Sequence, residues 1–155
     1  MRKRRMLLGA IAAAGLVLGI ATQVVAQGGA GDNKAFFAVM TGAKEVNPAG
    51  DPNGRGSFSA TLDGRTLCYG IQVKNIGNPV QAHIHRGGAD VAAGEVVQPL
   101  KQPGKGDPGA SAQCLRIKAG LASNLKANPS NFYVNVHTTA LPNGAVRGQL
   151  FARSR

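Results

Sequence analysis

The stretch that decides the fold is residues 56–74, GSFSATLDGRTLCYGIQVK. Apolar residues alternate with polar or small ones in both halves, and this period of two is typical of a strand that buries one face. The halves are joined by Asp63-Gly64, a dipeptide that favours the tight turn of a hairpin. The stretch therefore predicts two antiparallel strands connected by a two-residue turn.

Short strand-like runs recur on both sides of this hairpin, separated by breaks rich in Gly and Pro. Residues 118–128 differ, because Leu121 and Leu125 lie four apart and Pro129 ends the run, which predicts a short helix. Many short strands with one helix are typical of an all-β antiparallel sandwich or barrel. We expect one domain over residues 34–152, with further strands at residues 34–41, 81–86, 95–100, 112–117, 131–138 and 145–151.

The N-terminus has the features of an export signal. Residues 2–5 are all basic, residues 6–20 form an uncharged apolar run, and small residues precede a cleavage position after Ala26. The pattern predicts a secretory signal peptide over residues 1–26 and a flexible tail over residues 27–33. The mature protein would then be periplasmic or extracellular, without a transmembrane span. The alternatives are an uncleaved anchor and, for the export route, a twin-arginine signal.

The charge of the chain suggests an anionic environment but no nucleic-acid partner. The sequence carries 18 Lys and Arg against seven Asp and Glu, and four of the basic residues lie in the signal peptide, so the mature charge is +7. These basic residues are scattered singly, and aromatic residues make up only 5% of the chain. Nucleic-acid binding favours clustered basic residues. We expect a soluble surface that faces an anionic cell wall or membrane.

The two cysteines are predicted to form a disulfide, as is usual for an exported chain with an even cysteine count. Cys68 and Cys114 both alternate with aliphatic residues, so both point away from the core and could meet at a sheet edge. Closing a loop of about 46 residues contributes on the order of 4 kcal/mol in the chain-entropy model. The alternative is two free thiols, one of them a metal ligand.

The C-terminal hairpin is predicted to carry one polar face. The apolar positions of both its strands have even numbers, and facing residues must share a side of the sheet. A two-residue turn would place polar residues of one strand opposite apolar residues of the other. A three-residue loop over residues 142–144 pairs polar with polar and opposes His137 to Gln149. The predicted polar face consists of Asn135, His137, Arg147 and Gln149.

All three histidines lie in two of the predicted strands. His83 and His85 are two residues apart, about 6.6 Å along a strand, so both rings share a face. His137 could complete a three-nitrogen site for copper or zinc, and Asn135 or Glu95 could orient a ring. The three nitrogens must then lie within about 4 Å of one another, whereas a separation above about 8 Å excludes a shared ion.

The alternative interpretation is a hydrogen-bonded polar network that needs no metal. It would comprise His83, His85, Asn135, His137, Arg147 and Gln149. The usual catalytic signatures are absent: there is no nucleophile elbow, no carboxylate pair placed for acid–base chemistry and no phosphate-binding glycine motif. The sequence therefore favours a binding protein over an enzyme and requires no cofactor.

Four stretches resemble the CHRD domain, which is named for the animal protein chordin. They are residues 67–71 (LCYGI), 82–87 (AHIHRG), 132–138 (FYVNVHT) and 144–150 (GAVRGQL). The resemblance spans about residues 34–152. It implies an immunoglobulin- or cupredoxin-like β-sandwich in an exported module whose biochemical role is largely undefined.

Together these observations predict a non-enzymatic binding or interaction module outside the cytoplasm. Its partner would be an unidentified protein or surface ligand. The alternative function is that of a metal-binding protein or metalloenzyme, with copper or zinc held by His83, His85 and His137.

Overall fold

The computed structural model describes residues 33–46 and 49–153. The predicted signal peptide, with its cleavage position at Ala26, lies outside these residues, as does the predicted tail up to residue 32. No helix in the described ranges is long and apolar enough to cross a membrane.

The described chain contains nine strands, one α-helix and two short 3₁₀ segments. The helix α1 spans Ala119–Ala127, and the 3₁₀ segments are Gly42–Lys44 and Pro129–Asn131. The strands are β1 (Lys34–Thr41), β2 (Arg55–Asp63), β3 (Thr66–Lys74), β4 (Pro79–Arg86), β5 (Glu95–Leu100), β6 (Gly109–Arg116), β7 (Phe132–Thr138), β8 (Val146–Gln149) and β9 (Phe151–Ala152).

The strands form one sheet in the order β5-β4-β7-β8-β1-β2-β3-β6, with β9 also paired to β1. All of these pairs are antiparallel. The predicted hairpin over residues 56–74 is confirmed, because β2 and β3 pair throughout and end at Asp63 opposite Thr66. Gly64 has a φ of 53° in the turn, a conformation that glycine adopts without steric cost.

The sheet curls so that its two ends approach each other. The N–H of Lys101, which follows β5, donates to the hydroxyl of Tyr69 on β3 at 2.7 Å. The hydroxyl of Ser111 on β6 donates to the carbonyl of Lys101 at 2.8 Å. The prediction of a mostly β, antiparallel domain with one short helix is confirmed. The pairings run through a single curled sheet, so the finer assignment to an immunoglobulin- or cupredoxin-like sandwich stays a prediction.

The hydrophobic core lies inside the curl. In β2 the apolar Phe58, Ala60 and Leu62 are buried and their odd-numbered neighbours are not, as the alternation predicts. Helix α1 adds Leu121 and Leu125 to the same core. Each large apolar side chain buried in this way contributes about 1.5–3 kcal/mol. Strand β7 differs because all seven of its residues are buried, which means that its outer face is covered too.

Cys68 and Cys114 form the predicted disulfide. They lie directly opposite each other in the β3–β6 pair, and β6 is the last strand of the sheet order. Cys114 is exposed, in keeping with the prediction that both thiols point away from the core. The bridge therefore ties an edge strand to its neighbour from the solvent side.

The predicted register of the C-terminal hairpin is wrong. Gln149 pairs with Tyr133 and not with His137, so β8 is shifted by four residues. The connection is longer than three residues because Thr138 and Leu141 form a turn of their own. In that turn the N–H of Thr138 donates to the carbonyl of Leu141, and the N–H of Leu141 donates to the Thr138 hydroxyl. An even shift leaves each side chain on its original face.

The predicted last strand, residues 145–151, is divided in two. Strand β8 pairs mainly with β7, whereas β9 pairs with β1. Leu150 between them is buried in the core, and its N–H donates to the carbonyl of Phe132 at 2.9 Å. This segment joins the two halves of the sheet.

Candidate metal centre

The histidines meet on the outer side of β4 and β7. The core-facing residues of β4 are Ala82 and Ile84, so the odd-numbered His83 and His85 point to the opposite face. Strand β4 pairs with β7 in a register that brings His137 next to that face of β4. The sheet therefore gathers all three predicted ligands in one place.

One ring nitrogen from each of His83, His85 and His137 lies within 4.8 Å of the other two. The closest pair is Nδ1 of His83 and Nε2 of His137, at 3.1 Å. A tetrahedral site with bonds of about 2.0–2.1 Å places its ligand nitrogens about 3.4 Å apart. The first pair, at 3.1 Å, lies slightly inside this spacing. The whole group is slightly wider than the expected 4 Å, and its widest pair would close by roughly 1.4 Å on binding.

Backbone carbonyls fix the tautomers of two rings. Nδ1 of His85 donates to the carbonyl of Gly94 at 2.8 Å, and Nδ1 of His137 donates to the carbonyl of Pro142 at 2.9 Å. In each neutral ring Nε2 then holds a lone pair. Nε2 of His85 is buried and has no hydrogen-bond partner among the described residues. Metal-binding histidines typically donate their second ring N–H in this way.

Asn135 adds a further acceptor to the same space. Its Oδ1 lies 3.1 Å from Nε2 of His137, and the residue is only 2% exposed. Because Nε2 carries no proton in the tautomer set by Pro142, the contact brings two lone pairs together. An amide turned to present its NH₂ group to Nε2 would remove the mismatch. Within the cluster, only His83 has a ring proton to donate toward His137.

Burial keeps the three imidazoles neutral. Burial, with the neighbouring His137 and His85, lowers the pKa of His83 to about 4. Burial also lowers the pKa of His85, against the opposing effects of the Gly94 carbonyl and the Asn135 side chain. It lowers the pKa of His137 as well, against the opposing effect of the Pro142 carbonyl. Because histidine binds metals only when unprotonated, the rings are in their metal-binding form at neutral pH.

The loop between β4 and β5, residues 87–94, lies against His85 and Tyr133 and is held through its backbone; we call it the covering loop. Arg147, only 1% exposed, donates to the carbonyls of Val91 and Gly88 at 2.6 and 2.7 Å. Gln149 donates to a third loop carbonyl at 2.7 Å. Gln149 also donates to the carbonyls of Ser130 and Phe132, at 2.6 and 2.8 Å. The donors of these two predicted site residues thus go to backbone carbonyls and not to the histidines.

Tyr133 connects the histidines to the arginine. Its ring stacks on that of His85, with centroids 4.7 Å apart and an angle of 3°. The guanidinium carbon of Arg147 lies 3.4 Å from the centre of the same ring, a close cation–π contact. The Tyr133 hydroxyl accepts the N–H of Gly94 at 3.0 Å. Strands β4 and β8 flank β7, so the histidine and the arginine approach this tyrosine from either side.

Glu45 borders this arrangement, and no motif in the sequence indicates it. Burial raises the pKa of Glu45 to about 7, against the opposing effect of the positive charge of Arg147. One of its carboxylate oxygens is buried without a hydrogen-bond partner in the described chain. Its carboxylate occupies the space that any side chain at Gly144 would need. Glu45 reaches the site from the segment after β1. The alternation of residues within strands does not predict the path of such a connecting segment.

Glu95 does not orient a ring, contrary to one expectation from the sequence. Its carboxylate lies 3.5 Å from the Arg86 side chain, and the Glu95 side chain is 71% exposed. The carbonyl of Gly94 takes the expected role at His85. Backbone acceptors of this kind leave no signal in the sequence, because every residue has one.

These features define a class of protein: an antiparallel β domain with a histidine-lined site on the outer face of its sheet that could hold a metal ion. The family model of the CHRD domain matches residues 36–150, so the chain belongs to the CHRD domain family, as its motifs indicated. A comparison with curated proteins found no match. A comparison with solved structures found none either.

Proposed function

We propose that this protein is an exported, non-enzymatic binding module of the CHRD family that holds one copper or zinc ion on His83, His85 and His137. The observation that carries the proposal is the state of His85. Its Nδ1 is used by a carbonyl, and its Nε2 is buried with no partner in the described chain. Leaving such an acceptor unsatisfied costs about 1–3 kcal/mol, and a metal bond would remove that cost.

The type and number of ligands support copper or zinc. Imidazole suits both ions, whereas calcium and magnesium prefer oxygen ligands. Three histidines are a common set for zinc when the fourth position is filled by water or another molecule. Two of these rings also have the carbonyl partner that orients a metal-binding histidine.

A second candidate function is a polar network that presents a binding surface without metal. It is favoured by Arg147 and Gln149, which hold the covering loop and contribute no atom to the histidine cluster. In this function the ordered loop would contact an extracytoplasmic protein or surface ligand. The two candidates differ in what His85 Nε2 binds.

The test is metal binding by the full chain, freed of metal and titrated with Cu(II) and with Zn(II). We expect one ion per chain, and an affinity at least about 100-fold weaker in His85→Ala, because one of three ligands is lost. Gln81→Ala, on the same face of β4 but exposed, is the matched control and should bind as the unaltered protein does. Equal binding by His85→Ala and the control would rule out the metal site.

The proposed export has its own test. A disulfide favours an oxidising compartment, and the sequence predicts cleavage after Ala26. We expect the mature protein in the periplasm or medium of the producing cell, with Gln27 as its first residue on N-terminal sequencing. Recovery of an intact Met1 in the membrane fraction would instead support the uncleaved anchor.

A further inference from the structure

An ion held by the three histidines would have an unfilled coordination position. Within the described residues the metal-binding group comprises His83, His85 and His137, and no carboxylate or thiol joins it. Cys68 and Cys114 are bound to each other. Oδ1 of Asn135 lies beside His137, but amide oxygens suit calcium and magnesium better than copper or zinc. Copper and zinc take at least four ligands in such sites, so a ligand other than these side chains must complete the shell.

The unfilled position faces solvent on one side of the cluster. His85 and His137 are each 7% exposed, and the covering loop and the carbonyl of Pro142 lie against them. His83 is only partly buried, and Gln81, next on the same face of β4, is exposed. Gln81 is also the strand partner of His137. A molecule from solution can therefore reach the ion past His83 and Gln81.

The charges near this position favour an anion. A bound divalent ion would be the largest charge in the site, and the positive charge of Arg147 is also felt at His85. The acidic groups that act on Arg147 are Glu45 and Asp90. Burial raises the pKa of Glu45 to about 7, which weakens its negative charge at neutral pH. The local field is then positive once the ion is bound.

We propose that this position takes a small anion from solution, which binds directly to the ion after entering past His83 and Gln81. The proposal rests on the metal site of the proposed function. The site would then be an anion receptor in which the metal ion recognises the anion. The three imidazoles would stay bound to the metal, and the fourth ligand would exchange.

The experiment is an azide titration of the full chain loaded with Cu(II). If the chain binds zinc but not copper, Co(II) takes the place of zinc, because zinc gives no visible absorption. Azide bound to the metal produces a charge-transfer absorption that free azide lacks. We expect this absorption to rise to saturation at one azide per ion. The same response is expected from Gln81→Ala, since Gln81 is not a ligand.

Gln81→His is the decisive variant. It places a fourth imidazole opposite His137 and two residues from His83 on the same face, where it can fill the exchangeable position. We expect this variant to keep its ion and to lose the azide response. Metal binding without any azide response in the unaltered protein would overturn the anion site and leave the metal site intact. Failure to bind metal at all would overturn both proposals.

Discussion

The ring of His85 and the carbonyl of Gly94, nine residues later in the chain, are joined by a hydrogen bond of 2.8 Å. This bond couples the conformation of the covering loop to the tautomer of a proposed ligand. The N–H of the same glycine binds Tyr133, so both backbone groups of Gly94 are committed to the site. Movement of the loop would therefore change the histidine cluster.

Gly94→Ala should damage both the fold and the site. An added Cβ would collide with the carbonyl of Arg86 and come within 3.0 Å of the Tyr133 ring, so the loop must move. We expect a loss of about 1–3 kcal/mol in the free energy of unfolding and a roughly 10- to 100-fold loss of metal affinity. Urea unfolding and metal titration measure the two effects. Gly104→Ala, where the nearest atom is 3.6 Å away, is the control and should leave both quantities unchanged.

Arg147→Met should loosen the covering loop. The substitution removes two hydrogen bonds to loop carbonyls and the cation–π contact with Tyr133 while keeping much of the apolar stem. We expect a loss of about 3 kcal/mol in the free energy of unfolding, with faster amide hydrogen exchange in residues 87–94. Arg116→Met, at an exposed position, should change stability by less than about 0.5 kcal/mol. Equal effects of the two variants would contradict this account.

Glu45→Gln should change how stability depends on pH. The folded protein raises the pKa of Glu45 from 4.5 to about 7, so the folded state holds this proton more tightly than the unfolded chain does. Its contribution to stability is therefore largest in acid and is lost as the pH rises from about 4.5 to about 7. Above pH 7 the uncharged glutamine avoids the buried charge, and we expect Tm to rise by roughly 2–4 °C.

Thermal unfolding at about pH 5 and about pH 8 separates this effect from a general change in packing. The advantage of Glu45→Gln should be clear at the higher pH and shrink at the lower one, since the wild-type carboxyl is then protonated. Glu95→Gln, at an exposed carboxylate, is the control. A glutamine variant that is stabilised equally at both pH values would mean that charge burial is not the cause.

Metal affinity should depend only weakly on pH near neutrality. Three ordinary imidazoles with a pKa of about 6.5 would together cost about 30-fold in affinity between pH 7 and pH 6, because each must lose its proton. Burial lowers the pKa of all three histidines, that of His83 to about 4. We therefore expect a change much smaller than about 30-fold, measured with the same buffer and ion at both pH values. A change near 30-fold would contradict the neutral state of the cluster.

Removal of the disulfide should destabilise the fold without altering the histidine site. Cys68→Ser combined with Cys114→Ser opens a link between residues 46 apart, at a cost of about 4 kcal/mol in the chain-entropy model. Urea unfolding should show this loss, and reductant should weaken the unaltered protein but not the double variant. Metal affinity should persist wherever the double variant remains folded, because the disulfide lies on the β3–β6 pair and the histidines lie on the β4–β7 pair.

The local alternation of apolar and polar residues, with the turn dipeptides, is enough to predict much of this fold. The Asp63-Gly64 turn and the alternation on either side of it specify the β2–β3 hairpin. The same alternation places the disulfide cysteines on the outer side and both β4 histidines on one face. Where the connection is irregular, as at Thr138 and Leu141, the register is wrong, because a turn stabilised by one hydroxyl resembles ordinary loop sequence.

The pairing of strands that are distant in the sequence cannot be predicted from local patterns. Nothing in residues 81–86 specifies that β4 lies beside β7, about 50 residues later, and the histidine cluster depends on that pairing. The carbonyls that fix the histidine tautomers and the approach of Glu45 to Arg147 depend on loop paths set by tertiary packing. The sequence can nominate the ligands, but the fold decides whether they converge.

The covering loop is held almost entirely by main-chain groups, and this has a consequence for variation. The side chains of Ala89, Asp90, Ala92 and Ala93 are exposed, while the anchoring bonds run to the carbonyls of Gly88, Val91 and Gly94. The anchoring therefore tolerates many sequences at the three alanines, whereas the charge of Asp90 acts on Arg147. Relatives could diversify their specificity there, and a designer could graft new recognition residues there, without disturbing the rings beneath.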